Sequence, residues 1–498
     1  MRKDFLIDTL VLGIAFTFCT IFWEERMGVN ALLFSVLLLA CLLLRYDLKR
    51  PSYFWVSAVG TMVAATMVVW HNSMVSKVIY FASMISMIGF AQHRVLRFVW
   101  YAWLMGLYSM WQTPKKFLRQ ARENIAPTLR PVLLLRNMQL AFLPFVTVGL
   151  FYIIYYFANG KFAELSNQFW ESFWTFIIEF FPLQRMLLFV IGGFIAGGAL
   201  WRSPLPNWIK TRLGQSDFVQ RYRTKKASAL PIKFGMLDLK KEYQQSIAIL
   251  LILNVLLLIV NAIDVRYVWF DTQVRDAYEM RQYVHEGTYL LIAAILLAMT
   301  ILLIAFRGKL NFFSKNGWLK RLAYTWIAQN ALLTLSVAMR NIRYVEEYNL
   351  AYKRIGVFIF LALVLFGLVT LVFKIKEKKN LFYVLKVNAL ASYCVWILVC
   401  CVNWDVFITK YNLAHYENGI DTRFLLLEVS DKNLYLLKAE QEKLIKYNYS
   451  KDFNEHQIEG YLIYKKQDFE TRMKKGAWLS WNYSDWRNME ALRKSRAD

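Results

Sequence analysis

Residues 339–354, MRNIRYVEEYNLAYKR, form a charged, tyrosine-rich connector between two apolar runs, 318–338 and 355–373. A helix needs about 20 mostly apolar residues to cross a hydrocarbon core, and each run supplies close to that length. Two such runs joined by a short charged segment read as a pair of membrane helices meeting water at one face of the bilayer. The same pattern repeats outward along the chain, at 5–23, 29–44, 54–70, 74–92, 138–157, 186–201, 246–263, 284–306 and 382–402. With the two central runs this predicts an all-α, polytopic transmembrane helical bundle of about 11 spans, followed by a small soluble helical C-terminal tail.

Composition supports the membrane class: 57% of the 498 residues are hydrophobic and 17% aromatic. The net charge of +25 is not the footprint of a nucleic-acid-binding domain, because the cations sit in loops between apolar runs. Lys and Arg in alternate loops divide 32 against 11, which predicts an N-terminus inside and a C-terminal tail outside. The start, MRKDF and an apolar run to Trp23, resembles a signal peptide. Glu24-Glu25-Arg26 follows where a small-residue cleavage site is required, so the run is expected to stay as the first span.

Two segments are expected to lie in the interface rather than cross. VLRFVWYAWLMGLYSMW at 95–111 is apolar, but counting it as a span would place the basic loop after it outside. On the outer side, residues 161–181 repeat Trp170, Phe173, Trp174, Ile177 and Phe181 at helical spacing. The chain then divides into 1–112 (N-terminal spans and interfacial helix), 113–243 (basic loops, two spans, outer amphipathic helix), 244–402 (five spans) and 403–498 (tail). In the tail, Ser430-Asp431 reads as a helix start, and Trp478, Trp481 and Trp486 suit a membrane–water boundary.

The spans from 246 onward bring a set of polar residues to one level at the outer face: Asn261, Asp264, Arg266, His285, Glu286, Arg340, Arg343, Glu346, Glu347, Arg354, Asn403 and Asp405. Acidic, basic and imidazole groups crowded together suit a binding site. The same residues also suit ion pairs that lock neighbouring helix ends. His285 and Glu286 are adjacent and so point about 100° apart on a helix, which rules out a shared face. Asn254, Gln329 and Asn330, near span centres, are uncharged, whereas a proton-coupled pump ordinarily needs a deep carboxylate. All nine prolines lie at or before Pro231, so the later spans lack the breaks common in transporters. No Walker loop, H-E-x-x-H, G-x-S-x-G or dinucleotide fingerprint occurs, and none of the five cysteines has metal-ligand spacing. No metal and no cofactor is expected. The expected partners are the lipid bilayer and a membrane or envelope protein, with no nucleic acid.

From Tyr283 onward the order of motifs resembles bacterial polytopic membrane proteins of domain-of-unknown-function family 4173 and the related family 4153. The matching pieces are Tyr283-Val284-His285-Glu286-Gly287, then Arg340, Tyr344, Tyr348 and Arg354, then Asn403-Trp404-Asp405 with Ile408 and Asn412. Asp421, Leu425 and Ser430-Asp431 follow in the tail. The pattern departs at Asn349 and Ala351, where the family tends to carry Gly and Thr. The resemblance covers the last half of the chain and, more loosely, the run at 138–157. It implies a multi-pass protein of the bacterial cytoplasmic membrane and transfers no activity. The expected role is a non-enzymatic partner- or lipid-binding, sensing or scaffold component of the envelope. A transferase acting on a lipid-linked substrate, with Glu24-Glu25 just outside the first span, is the alternative, and a transporter is third.

Overall fold

The computed structural model describes residues 2–46, 51–125, 131–180, 182–213, 216–219, 236–270, 277–306, 309–313, 315–449, 453–474 and 476–494. Among them the chain is helical, with no strand. The first half forms α1 (Arg2–Phe22), α2 (Val29–Arg45), α3 (Ser52–Trp70), α4 (Met74–Gln92), α5 (Val99–Trp111), α6 (Thr113–Ile125), α7 (Pro131–Ala158), α8 (Gly160–Phe180), α9 (Leu183–Leu200) and α10 (Asn207–Leu213). The second half of the bundle is α11 (Met236–Asp264), α12 (Ala277–Ala305), α13 (Gly317–Tyr348), α14 (Tyr352–Lys376) and α15 (Leu381–Cys400). A C-terminal module follows: α16 (Trp404–Ala414), α17 (Thr422–Leu427), α18 (Leu434–Ala439), α19 (Gln441–Lys446), α20 (Glu455–Lys474) and α21 (Tyr483–Lys494).

Seven of the described helices are long and apolar enough to cross a membrane: α3, α4, α9, Lys240–Trp269, α13, α14 and α15. Shorter apolar helices stand at Leu6–Phe22, Val29–Arg45, Pro144–Ala158 and Leu290–Ala305. Each apolar run read from the sequence falls on one of these helices. The protein is a multi-pass membrane protein.

Two cores organise the bundle. The first gathers α1 to α5 and α9 around Phe34, Tyr80 and Met84. Here α1 and α9 run antiparallel: Asp8 accepts from the Trp201 indole at 2.9 Å near one end, and Cys19 donates to the Arg185 carbonyl at 3.3 Å near the other. The second core joins α11 to α14 around Leu250, Ile295, Leu319 and Leu368. Between the halves stands α15, packed on α14 and also on α3, α4 and α5. Gly60 makes room for it, since a Cβ there would run into the Tyr393 hydroxyl.

Thirteen residues give α5 a length of about 20 Å, short of a hydrocarbon core about 30 Å thick. It fits its neighbours more closely than a helix merely resting in the interface requires. Gly89 of α4 meets the Ala102 backbone, and Gly106 of α5 meets that of Ile85, so the two helices touch main chain to main chain. Trp100 and Trp111 remain on the exposed side. The other segment expected in the interface, α8, folds back along α7: the Trp170 indole donates to the Tyr152 hydroxyl at 2.8 Å, and Tyr156 to Asn167 at 3.0 Å.

The ends of the bundle differ. At one, the loop at 216–219 is stitched to the α14–α15 turn: Val219 N donates to the Lys378 carbonyl and Asn380 N to that of Asp217, while Lys386 pairs with Asp217 at 2.5 Å. At the other, the module covers the α1–α2, α3–α4 and α13–α14 turns. The module's main core includes Val345, Leu350 and Ile355 from the α13–α14 region, so it is continuous with the membrane helices.

Candidate functional site

The polar residues expected to form one cluster are divided by the fold into a seam inside the bundle and a junction beneath the module. The seam lies between α11 and α13, which run parallel. Asn254 donates to the Leu322 carbonyl at 3.2 Å and Asn261 to that of Gln329 at 3.1 Å. Both pairs advance by seven residues on each helix, the repeat of a coiled-coil seam. Gln329 also donates to Asn254 at 3.3 Å, so two of the mid-span amides bond directly across the helices. Past Asp264 the helix widens into a π-helical turn, Val265–Trp269, and the Trp269 indole donates to Ser336 at 3.1 Å. At this level the seam ends in an ion pair between Arg340 and Asp264, both buried.

Arg266 does not join that pair. It is exposed, its guanidinium 5.4 Å from the Tyr267 ring centre. Arg343 is half-buried on the last turns of α13, and Glu346 and Glu347 are exposed there. Arg354 turns back on the connector, donating to the Tyr348 carbonyl at 2.5 Å with its guanidinium 4.4 Å from the Tyr344 ring centre. His285 and Glu286 fall on α12, but their side chains lie outside the described residues.

The junction beneath the module is built on Asp405. Asn403 caps α16 by accepting from Val406 N at 3.3 Å, which places Asp405 in the first turn. Its carboxylate accepts from the Tyr352 hydroxyl of α14 and from the Ser430 hydroxyl of the module. Next to it Asn412 holds the connector by both ends of its amide, accepting from Leu350 N at 2.8 Å and donating to the Leu350 carbonyl at 3.0 Å. Asn349 has φ of 66° with ψ of 176°, a region that glycine adopts freely and a residue with a side chain enters only under strain, and it donates to the Gly419 carbonyl at 2.7 Å. The departure from Gly at this position therefore costs backbone strain, which the bond to Gly419 helps to offset.

A third set of contacts was not visible in the sequence. Lys432 and Asp485, both buried, form an ion pair inside the module. Asn482 donates to Asp485 at 2.7 Å, and Arg26, from the α1–α2 turn, lies 3.7 Å from the same carboxylate. Glu25 accepts from the Ser480 hydroxyl and from Ala477 N, Val29 N donates to the Trp481 carbonyl at 3.2 Å, and Trp70 stacks on Tyr483 at 4.6 Å. The one sequence signal was the spacing of Asn482, Asp485 and Asn488, three residues apart on one helical face. Trp478, Trp481 and Trp486 all remain exposed beside these turns.

Charge in the module is balanced locally. Burial acts to raise the pKa of Asp431, but Lys432 and Arg472 outweigh it and hold the carboxyl below its usual value. Lys465 donates to the Val429 carbonyl at 2.8 Å, and burial brings its amine from 10.5 down to about 8 despite Asp431 and Asp405 nearby. Its folded pKa is thus below its unfolded one, so between them the unfolded chain binds more protons and stability rises with pH. Tyrosine ionisation in the unfolded chain opposes this above about 10. The module should therefore gain resistance to unfolding from pH 8 to 10, a slope that Lys465→Met removes; hydrogen exchange of α20 across that range measures it.

Among the described residues no three His, Cys, Asp or Glu side chains converge as metal ligands. With this geometry in view, the family model "Domain of unknown function (DUF4153)" matches residues 32–439. The chain belongs to this family. It is the second of the two that the motif order resembles, and its match extends well beyond the last half of the chain, from α2 into α18. The seam and the Asp405 junction therefore lie inside the family region, whereas Arg26, Lys465 and Asp485 lie outside it. No curated protein and no solved structure matches the chain.

Proposed function

We propose that the protein is a non-enzymatic component of the bacterial cytoplasmic membrane, its module outside the cell and its N-terminus inside, that senses or scaffolds by binding an envelope protein partner. The cation distribution between loops supports the orientation. The observation that carries the reading is the double attachment of the module, to α13 and α14 through Asp405 and Asn412, and to the α1–α2 turn through Glu25 and Asp485. A module fixed to both half-bundles couples a force or ligand on its surface to the relation between the halves. Arg340 and Asp264 engage one another, while Asp405, Arg354 and Glu25 are each held by neutral hydrogen-bonding groups. Glu25, a carboxylate that a transferase would need free, is held by Ser480 and Ala477.

The partner surface we assign is α20, which buries Ile458, Leu462 and Phe469 and exposes Tyr461 and Tyr464 one turn apart. Aromatic side chains on a rigid helix are the usual anchors of a protein contact. Tyr461→Ser with Tyr464→Ser should lower the amount of partner recovered with the affinity-tagged full-length protein by about tenfold, as expected for lost anchors. Recovery of the same partners in the same amounts counts against the reading.

A further inference from the structure

At the end of the bundle away from the module, α1, α6 and α9 leave an apolar groove of about 420 Å³. Its walls are Val11 and Ala15 of α1, Phe117 of α6, and Phe189 and Phe194 of α9. Two consecutive glycines explain why it is open. Gly192 is pressed against Ala15 and Phe18, holding α1 and α9 in contact, while a Cβ on Gly193 would meet nothing within 4 Å.

The groove is apolar along its length, and a basic helix flanks one end. α6, TPKKFLRQARENI, carries Lys115 and Lys116 beside it. Lys116 donates to the Trp201 carbonyl at 2.9 Å and to Ser203 at 2.7 Å, which fixes the basic side of α6 at the mouth, and Lys115 is exposed there. One carboxylate, Asp8, also lines the groove, with an oxygen held by the Trp201 indole. The volume lies within the range of small-molecule sites, and the shape suits an amphiphile with a hydrocarbon tail and an anionic head. We propose that this groove seats one acyl chain of an anionic phospholipid from the leaflet facing the basic loops, with the headgroup phosphate met by Lys115. The site involves no residue of the module and stands or falls apart from the partner surface on α20.

The test uses the full chain in phosphatidylcholine vesicles containing a small fraction of phosphatidylglycerol with a diazirine on one acyl chain, or of phosphatidylcholine carrying the same group. After irradiation, peptides covering 113–117 and 189–194 should carry about fivefold more phosphatidylglycerol label, the ratio given by about 1 kcal/mol for a single lysine near anionic lipid. Gly193→Leu, whose Cβ meets nothing within 4 Å, extends a side chain into the groove and should remove the label from those peptides. Gly149→Leu, on α7 where a Cβ also meets nothing within 4 Å, should leave it unchanged. Lys115→Glu should bring phosphatidylglycerol labelling down to the phosphatidylcholine level. Equal labelling by the two lipids, or a Gly193→Leu protein labelled like the parent, overturns the proposal.

Discussion

Asp264→Leu should destabilise the protein by about 3–5 kcal/mol, more than any other single substitution in the α11–α13 seam. The substitution leaves the Arg340 guanidinium in a buried site without its carboxylate, and an arginine cannot shed its charge there. Arg340→Met should cost less, because a carboxylic acid has a neutral form and a guanidinium in a protein has none. The double variant should recover most of the loss, since apolar groups of similar size in place of a buried ion pair are often neutral or stabilising. Denaturant unfolding in micelles, with all three variants compared, measures this. A double variant as unstable as Asp264→Leu would show that the pair does more than balance its own charges. If the double variant folds well yet loses partner recovery, the pair belongs to function rather than to packing.

Breaking the pair inside the module should have a similar cost but a different consequence. Asp485→Ala leaves Lys432 buried with Asp431 at 4.0 Å as its remaining carboxylate neighbour, and removes the acceptor that Asn482 and Arg26 also address. The expected loss is again about 3–5 kcal/mol, confined to the module. It should release α20 and α21 from the α1–α2 turn, so that trypsin cuts near Arg472 far faster than in the parent while α11 to α14 stay protected. Arg26→Gln should cost at most about 1 kcal/mol, because Arg26 is about one-third exposed and 3.7 Å from the carboxylate. Equal protease sensitivity of the two variants would mean that the attachment rests on the surface arginine and not on the buried pair.

The site was only partly legible beforehand, and particular residues show why. Asp264 and Arg340 were both expected at one level of the bundle, because level follows from position within an apolar run, and the two do meet. That they pair, while Arg266 two residues on faces away, depends on the rotation of α11 against α13. The heptad step from Asn254 to Asn261 sets that rotation, and the π-helical turn after Asp264 then breaks the regular spacing. Asp405 was expected beside the same group. It lies under the module instead, because the Asn403 cap starts α16 there and turns the carboxylate toward Tyr352 and Ser430. Lys432 gave no signal and Asp485 only its three-residue spacing from Asn482 and Asn488, since 53 residues separate the pair and nothing local shows that they meet.

The amino-acid sequence by itself determined that the protein is an all-helical membrane bundle with a polar C-terminal module. Those properties depend on quantities that add up along the chain: apolar length against bilayer thickness, and the alternation of apolar runs with charged loops. The tertiary structure alone decided which polar groups meet, that α5 packs main chain to main chain on α4, and that the module fastens both halves of the bundle. Those depend on the register between helices far apart in the chain, which is set when side chains interlock and is not encoded in any local period.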